Sequence, residues 1–217
     1  MGSRTHVLLD LDGTLSHSEP SIAASLRHAL ERVQLPVPAD AVIRTAIGPP
    51  FELGLPAIGV PDEHVVSVIG HYRDHYEAGG LFDTEPFEGI EAALDAFLDA
   101  GLVLAVATAK PEVSALRIVE HFGWTDRFAV IAGATLDDER RTKAAVITSC
   151  LSRLGIEPGA HAVMVGDREH DVHGAIENGI DCIGVAWGYG SLEELVLAGA
   201  IEVASSPADL VSLVVAP

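Results

Sequence analysis

The chain has 217 residues, 48% of them hydrophobic, and its 32 acidic and 13 basic side chains give a formal net charge of −19 at pH 7. This apolar content is sufficient for a folded α/β domain with room for an insert, and it argues against a disordered protein. An acidic surface repels polyanions, so we expect no nucleic-acid partner and no membrane partner.

The cysteines and the hydropathy pattern indicate the compartment. Cys150 and Cys182 lie in apolar segments without the spacing of a metal site, which is typical of buried free thiols in a reducing environment. The sequence has no apolar stretch of about 20 residues and no signal-peptide core. We therefore expect a cytoplasmic protein, either a monomer or a homodimer.

Short apolar runs without alternation predict parallel strands that are buried on both faces. These runs occupy residues 6–9, 102–107, 128–131, 162–165 and 182–185. Amphipathic segments predict helices at residues 90–100, 111–122, 143–154 and 172–178, each followed by a glycine. The alternation predicts an α/β fold with a Rossmann-like parallel sheet, completed by a strand and a helix within residues 201–217.

The first crossover is too long for a single helix, because about 90 residues separate the first two predicted core strands. Its apolar periodicity predicts helices at residues 21–33, 39–46, 51–58 and 63–78, with no strand pattern between them. We therefore predict an inserted α-helical cap at residues 19–82. The α/β core then comprises residues 1–18 and 83–217, with hinges near residues 16–18 and 81–86.

The most informative motif is the pair of carboxylates Asp10 and Asp12, placed where the first apolar strand breaks into a turn at Gly13 and Thr14. Paired carboxylates can hold Mg²⁺, and one can attack phosphorus while the other transfers a proton. For this motif alone, a strand followed by an ordinary Asp-Gly turn is the alternative.

Three further elements follow predicted strands or begin the helices after them. The hydroxyl of Thr108 and the amide of Ala109 could donate to a phosphoryl oxygen, with a simple helix cap as the alternative. Lys143 could supply the fixed cation that such a site needs, although a surface lysine is the alternative. Asp167 ends a strand, and Asp171 lies one turn into the next helix. Because open α/β sheets bind ligands at the carboxyl ends of their strands, we expect these residues to meet there.

With these four elements the chain resembles the haloacid dehalogenase-like hydrolase superfamily over essentially its whole length. The matching motifs are D-x-D-G-T-L at residues 10–15, Thr108, Lys143 and G-D-x-x-x-D at residues 166–171. The helical insert is similar to the C1 type of cap, and the closest resemblance is to phosphoglycolate phosphatase-like members.

The resemblance implies a role for each residue of the motifs. Asp10 would be the nucleophile that forms an aspartyl-phosphate, and Asp12 would protonate the leaving group and then deprotonate water. The cofactor would be Mg²⁺, bound by Asp10, the backbone carbonyl of Asp12 and Asp167. Phosphoryl oxygens would be held by Thr108, Ala109 and Lys143, and Asp171 would support Lys143 or a metal-bound water.

Specificity is expected to lie in the cap, where Gly48, Pro49 and Pro50 form a rigid turn between two helices. Relatives often carry Asp at the position of His17 and Asn at the position of Ala109, which weakens the case for phosphoglycolate as the substrate. Trp187 and Tyr189 could line the cleft or pack in the core, and the sequence favours neither.

The function predicted is hydrolysis of a small phosphorylated metabolite, phosphoglycolate phosphatase-like or 5′-nucleotidase-like. A phosphomutase of the same family is an alternative, although mutases tend to carry Ser-x-Ser where this chain has residues 108–110. A dehalogenase would typically lack the acid at Asp12. A non-catalytic phosphoryl or metal sensor is the remaining alternative, and it would be expected to have lost at least one of four residues, Asp10, Asp12, Lys143 and Asp167, all of which are present.

Overall fold

The computed structural model describes residues 4–48, 50–135, 140–157, 159 and 161–215. The chain divides into two compact units, one formed by Met1–Ser16 and Pro86–Pro217 and the other by His17–Glu85. The insert predicted at residues 19–82 falls inside the second unit.

The described residues form eight strands. They are β1 (His6–Leu9), β2 (Ser16–His17), β3 (Glu85–Pro86), β4 (Val103–Pro111), β5 (Val130–Ala134), β6 (Ala162–Gly166), β7 (Asp181–Val185) and β8 (Glu202–Ala204). Six of them make one sheet in the order β5-β4-β1-β6-β7-β8, and every pair in it is parallel. β2 and β3 form a separate two-stranded sheet. The predicted Rossmann-like parallel core is confirmed.

The second unit is built from four helices and a short 3₁₀ turn at Gly80–Phe82. The helices are α1 (Glu19–Arg32), α2 (Asp40–Thr45), α3 (Phe51–Ala57) and α4 (Asp62–Ala78). Leu26 and Leu30 of α1 and Val68 of α4 are buried in this unit. A polar contact joins the same two helices, since His75 Nδ1 lies 3.0 Å from Ser25 Oγ.

The remaining helices belong to the first unit. They are α5 (Ile90–Asp99), α6 (Glu112–His121), α7 (Lys143–Leu154), α8 (Glu169–Glu177), α9 (Leu192–Ala198) and α10 (Pro207–Val215). The sheet packs against helices in a continuous core that includes Leu8, Val146, Met164, Val172 and Leu195. Each such buried aliphatic side chain contributes roughly 1.5–3 kcal/mol to folding. Among the described helices, none is both long and apolar enough to cross a bilayer.

The sheet register determines where the motif residues emerge. In β1, Leu9 lies opposite Val106 of β4 and Val165 of β6, so β1 and β6 end at nearly the same height, while β4 continues beyond them to Pro111. The Asp10 amide continues the ladder for one more step by donating to the Val165 carbonyl at 2.9 Å. The segments that follow β1 and β6 therefore begin side by side, next to the last part of β4.

Four elements of the first unit differ from the local structure expected from the sequence. β4 extends to Pro111 because Thr108 and Pro111 pair with β5, so α6 begins at Glu112 and neither Thr108 nor Ala109 caps it. α8 begins at Glu169, before the predicted start, and α9 was not predicted from the sequence. β5 likewise lies two residues later at its start than the apolar run suggested.

Candidate active site

The turn after β1 lies very close to Asp167, the residue that follows β6. Gly13 has a φ of +84°, and a Cβ there would lie 2.3 Å from Asp167 Oδ2. Glycine is therefore required twice, by the backbone angle and by the lack of space. Thr14, next in the turn, is buried and its hydroxyl donates to Asp167 Oδ1 at 3.4 Å. The first and fourth motifs are thus in direct contact.

Lys143 is the buried cation of the site. It is the first residue of α7, whose start is capped by the Thr142 hydroxyl accepting from the Ala145 amide at 3.2 Å. Its Nζ lies 2.8 Å from Asp10 Oδ1 and 2.7 Å from Asp171 Oδ1, and it donates to the Ala107 carbonyl at 3.0 Å. Burial lowers the pKa of this ammonium, but the two carboxylates outweigh burial and raise the pKa above its usual range.

Asp171 is held in place by its own helix. Its Oδ2 accepts from the Arg168 amide at 3.1 Å, an N-terminal capping interaction across the first turn of α8. Gly166 lies directly behind it, since a Cβ at that position would be 2.2 Å from Asp171 Cγ. The carboxylate of Asp171 can therefore turn its other oxygen to Lys143.

Asp10, Asp167 and Asp171 form a cluster in which one oxygen from each carboxylate lies within 4.8 Å of the others. Burial raises the pKa of Asp10 to about 6, with Lys143 opposing the shift. Burial, with Asp171 and Asp10 beside it, also raises the pKa of Asp167. Lys143 contacts two members of the cluster, so three buried carboxylates face one ammonium there. The cluster therefore carries an excess of negative charge, and all its candidate ligand atoms are oxygens. Both features suit a divalent cation such as Mg²⁺.

The Asp12 carboxylate is paired with a second lysine. Its Oδ2 lies 2.6 Å from Lys110 Nζ, and the two side chains are 16% and 5% exposed. Its carboxylate is therefore not part of the cluster of three. The ligand expected from Asp12 is its backbone carbonyl, and this expectation does not involve the carboxylate. Lys110 lies in the segment 108–110 that was compared with family motifs, but the sequence assigned it no role.

Thr108 lies beside the Asp10 carboxylate. The residue is 1% exposed, and its hydroxyl forms a side-chain hydrogen bond that lowers the pKa of Asp10. The same oxygen accepts from the Lys110 amide at 3.2 Å. Ala109 follows in the last part of β4 and is half-buried.

The segment after β7 contacts both the turn after β1 and Asp167 of the carboxylate cluster. The Tyr189 amide donates to Asp167 Oδ2 at 2.7 Å, and the Trp187 indole donates to the Thr14 carbonyl at 3.0 Å. Side chains at Gly188 and Gly190 would collide with Asp167, at 2.2 Å from its Cβ and 2.1 Å from its carbonyl oxygen. The sequence left the roles of Trp187 and Tyr189 open, and the alternation of aromatic residues with glycine at residues 187–190 is the feature that could have indicated this role.

The predicted specificity residues belong to the second unit. Gly48 has a φ of +112° and follows α2, and Pro50 immediately precedes α3. Pro49 lies outside the described residues.

Comparisons with known proteins agree with this geometry. The family model described as haloacid dehalogenase-like hydrolase matches residues 7–185. A solved structure, described as a predicted phosphatase from Clostridium acetobutylicum, is 36% identical in sequence and superposes with a TM-score of 0.92. The match covers 98% of this chain and 99% of the Clostridium chain.

Two curated relatives differ in how much of their length is matched. A 5′-nucleotidase from Pseudomonas aeruginosa is 37% identical over 191 residues, which cover 88% of this chain and 86% of the relative. The tyrosine-protein kinase PtkA of Mycobacterium tuberculosis is 43% identical over 184 residues, which are 85% of this chain. The chain spans only 62% of the length of that kinase.

Proposed function

Since this chain belongs to the haloacid dehalogenase-like hydrolase family, as its motifs predicted, we propose that it is a Mg²⁺-dependent phosphatase acting on a small phosphorylated metabolite. The observation that carries the proposal is the environment of Asp10, a buried carboxylate between a lysine ammonium and two further carboxylates. A cation and a metal-type cluster beside one carboxylate are what an attack on a negatively charged phosphoryl group requires.

In the first step, a carboxylate oxygen of Asp10 forms a bond to phosphorus while the ester P–O bond breaks. The electron pair of that bond leaves with the alcohol oxygen, which takes a proton from the carboxyl group of Asp12. The products are the free alcohol and an aspartyl-phosphate on Asp10.

In the second step, Asp12 accepts a proton from a water molecule as the water oxygen attacks phosphorus. The acyl P–O bond breaks, and Asp10 returns to its carboxylate form as inorganic phosphate departs. The single carboxyl group of Asp12 therefore serves as acid and then as base, and it ends the cycle protonated as it began.

Charge on the phosphoryl oxygens is balanced by groups that are fixed before substrate arrives. Lys143 is anchored by the Ala107 carbonyl and by Asp171, so its ammonium needs no rearrangement. The Thr108 hydroxyl and the Ala109 amide are the further proposed donors to these oxygens. Bound through Asp10, the Asp12 carbonyl and Asp167, Mg²⁺ would bring the like-charged nucleophile and phosphate together.

The test of this proposal combines turnover with capture of the intermediate. The protein should release p-nitrophenol from p-nitrophenyl phosphate when Mg²⁺ is present. Borohydride treatment during turnover should convert residue 10 to homoserine, which peptide mass spectrometry detects. A non-catalytic sensor would give neither signal, and absence of both would reject the phosphatase proposal.

For the substrate, we propose that the unit His17–Glu85 acts as a cap and selects the leaving group. Nucleoside monophosphates are the first class to examine, because a relative that is matched over most of its length is a 5′-nucleotidase. Phosphoglycolate and sugar phosphates complete the panel. Release of inorganic phosphate from each substrate separates a phosphatase from a phosphomutase, which would instead return an isomeric sugar phosphate.

A second candidate is phosphoryl transfer to protein tyrosine, which the 43% identity to PtkA favours. Incubation with γ-labelled ATP separates the two proposals. Label on tyrosine of this chain or of a tyrosine-containing polypeptide would support the kinase, and label released as inorganic phosphate would support the hydrolase.

A further inference from the structure

An irregularity in β4 lies beside the proposed nucleophile. Thr108 pairs with Gly133 of β5, and the next pair along the strands joins Pro111 with Ala134. Two residues of β4, Ala109 and Lys110, therefore stand where β5 contributes none. Such a bulge bends the strand and turns a side chain away from the direction that the regular pleat would give it.

The backbone of this bulge is tightly held. A Cβ at Gly133 would lie 2.6 Å from the Lys110 carbonyl oxygen and 2.5 Å from Glu112 Cα, so only glycine allows β5 to approach it. Glu112 Oε2 accepts from the Gly133 amide at 3.1 Å and also contacts Arg140 and Arg153, each at 3.0 Å. The position of Lys110 is thus fixed by the sheet.

The bulge directs Lys110 to one oxygen of Asp12. Lys110 Nζ is 2.6 Å from Asp12 Oδ2, whereas Asp12 Oδ1 is buried and has no hydrogen-bond partner within the described part of the chain. An ammonium can donate to Oδ2 whether the carboxyl group is ionised or carries a proton on its other oxygen. The two oxygens of Asp12 are therefore not equivalent.

We propose that Lys110 is a positioning residue that reserves Asp12 Oδ2 and so assigns proton transfer to Asp12 Oδ1. This inference rests on the proposed function, in which Asp12 is the acid and base. In the first step the proton leaves Oδ1 for the ester oxygen as the P–O bond breaks. In the second step Oδ1 takes the proton of the attacking water. Lys110 keeps its own proton throughout and only fixes the rotation of the carboxyl group.

A group that orients a general acid matters most when the leaving group needs a proton. Alkyl phosphates leave as strongly basic alkoxides, whereas 2,4-dinitrophenolate departs without protonation. Loss of Lys110 should therefore affect the two kinds of substrate unequally. A role confined to stability would lower turnover of both by one common factor, since it would change only the amount of active protein.

The experiment measures kcat/KM for an alkyl phosphate and for 2,4-dinitrophenyl phosphate, because this ratio reports the steps through phosphoryl transfer to the enzyme. Lys110→Met should lower the alkyl value about 100-fold and the dinitrophenyl value less than about 5-fold. Lys110→Arg, which keeps the charge, should recover much of the alkyl activity. Arg117→Met removes one exposed positive charge from α6 and should leave both values near wild type.

Coupling to Asp12 is tested in the Asp12→Asn background. There the additional Lys110→Met change should have almost no effect on the alkyl substrate, because the group it positions is gone. Gly133→Ala offers an independent variant that displaces the bulge with Lys110 present, and it should show the same dependence on leaving group.

Equal losses on both substrates in Lys110→Met, or full additivity with Asp12→Asn, would overturn the inference while leaving the phosphatase proposal intact. An unmodified protein that turns over neither substrate in Mg²⁺ would instead reject the phosphatase itself.

Discussion

The Trp187 indole donates a hydrogen bond to the Thr14 carbonyl at 3.0 Å, across a sequence separation of 173 residues. This contact joins the segment after β7 to the turn that carries the proposed nucleophile. Two residues later, the Tyr189 amide fixes Asp167. Trp187 and Tyr189, which sequence patterns could not place, therefore act as supports of the site through an indole N–H and a backbone amide.

Gly188 lies between these two contacts and has no room for a side chain. Gly188→Ala should destabilise the protein by about 2 kcal/mol and lower turnover, because the added methyl group must displace Asp167 or the Gly13 carbonyl. The control is Gly70→Ala, at an exposed position of α4 with open space around it, which should raise stability by about 0.5 kcal/mol. Thermal unfolding of both variants checks the prediction, and a Gly188→Ala protein as stable as wild type would contradict it.

Asp10→Asn should fold but lose at least about a thousandfold in kcat/KM on p-nitrophenyl phosphate, since an amide cannot form the acyl-phosphate. Each tenfold loss corresponds to ~1.4 kcal/mol of barrier. The melting temperature serves as the control for folding. Activity within tenfold of wild type would exclude Asp10 as the nucleophile.

Removal of divalent cations with EDTA should abolish activity, and Mg²⁺ should restore it. Ca²⁺ should restore it poorly, because its larger and looser coordination shell would misplace the reacting groups. Binding is measured separately, since Mg²⁺ should raise the melting temperature of the wild type by mass action but not that of Asp167→Asn. Full activity in excess chelator would remove the metal from the proposal.

Cys150 and Cys182 should not react with Ellman's reagent in the native protein at pH 8. Both thiols are buried, and burial raises the pKa of Cys150 to about 12 and that of Cys182 well above its usual range. Two thiols per chain should become reactive on unfolding in guanidinium chloride. Rapid reaction of the native protein would show that this part of the core opens readily.

Substitutions in the second unit should change the ranking of substrates, whereas those at the phosphoryl site should not. We expect Gly48→Ala and Pro50→Ala to alter kcat/KM for nucleoside monophosphates and phosphoglycolate by different factors. Thr108→Val and Lys143→Met should instead lower kcat/KM for all substrates by similar factors. If Gly48→Ala and Pro50→Ala change kcat/KM by the same factor for every substrate, the unit His17–Glu85 does not select the leaving group.

The central strands and most helices of the first unit could be predicted because each has a local signal. The run ending at Leu9 is apolar on both faces, and α7 has apolar residues at helical spacing and ends before Gly155, as its sequence indicates. Asp10, Lys143, Asp167 and Asp171 could be grouped because parallel strands release their ends at one edge.

The contacts that could not be predicted depend on strand register. Lys110 reaches Asp12 only because β4 carries two residues that β5 does not match, and no pattern around Lys110 reports that offset. The extension of β4 to Pro111 has the same cause. Gly133 and Gly188 have no room for a side chain because residues remote in sequence lie against them. The sequence shows that both positions are glycine, but it does not show which residues exclude a side chain there.

The central position of β1 has a consequence for biosynthesis. This strand is the first of the sheet to be made, yet its partners begin only at Val103 and Ala162. A nascent chain therefore carries Asp10 and Asp12 just after a strand with open hydrogen-bonding edges while the whole second unit is being translated. Chains halted before residue 162 keep one edge of β1 unpaired and lack Asp167 and Asp171, so they should be prone to association on the ribosome and without activity.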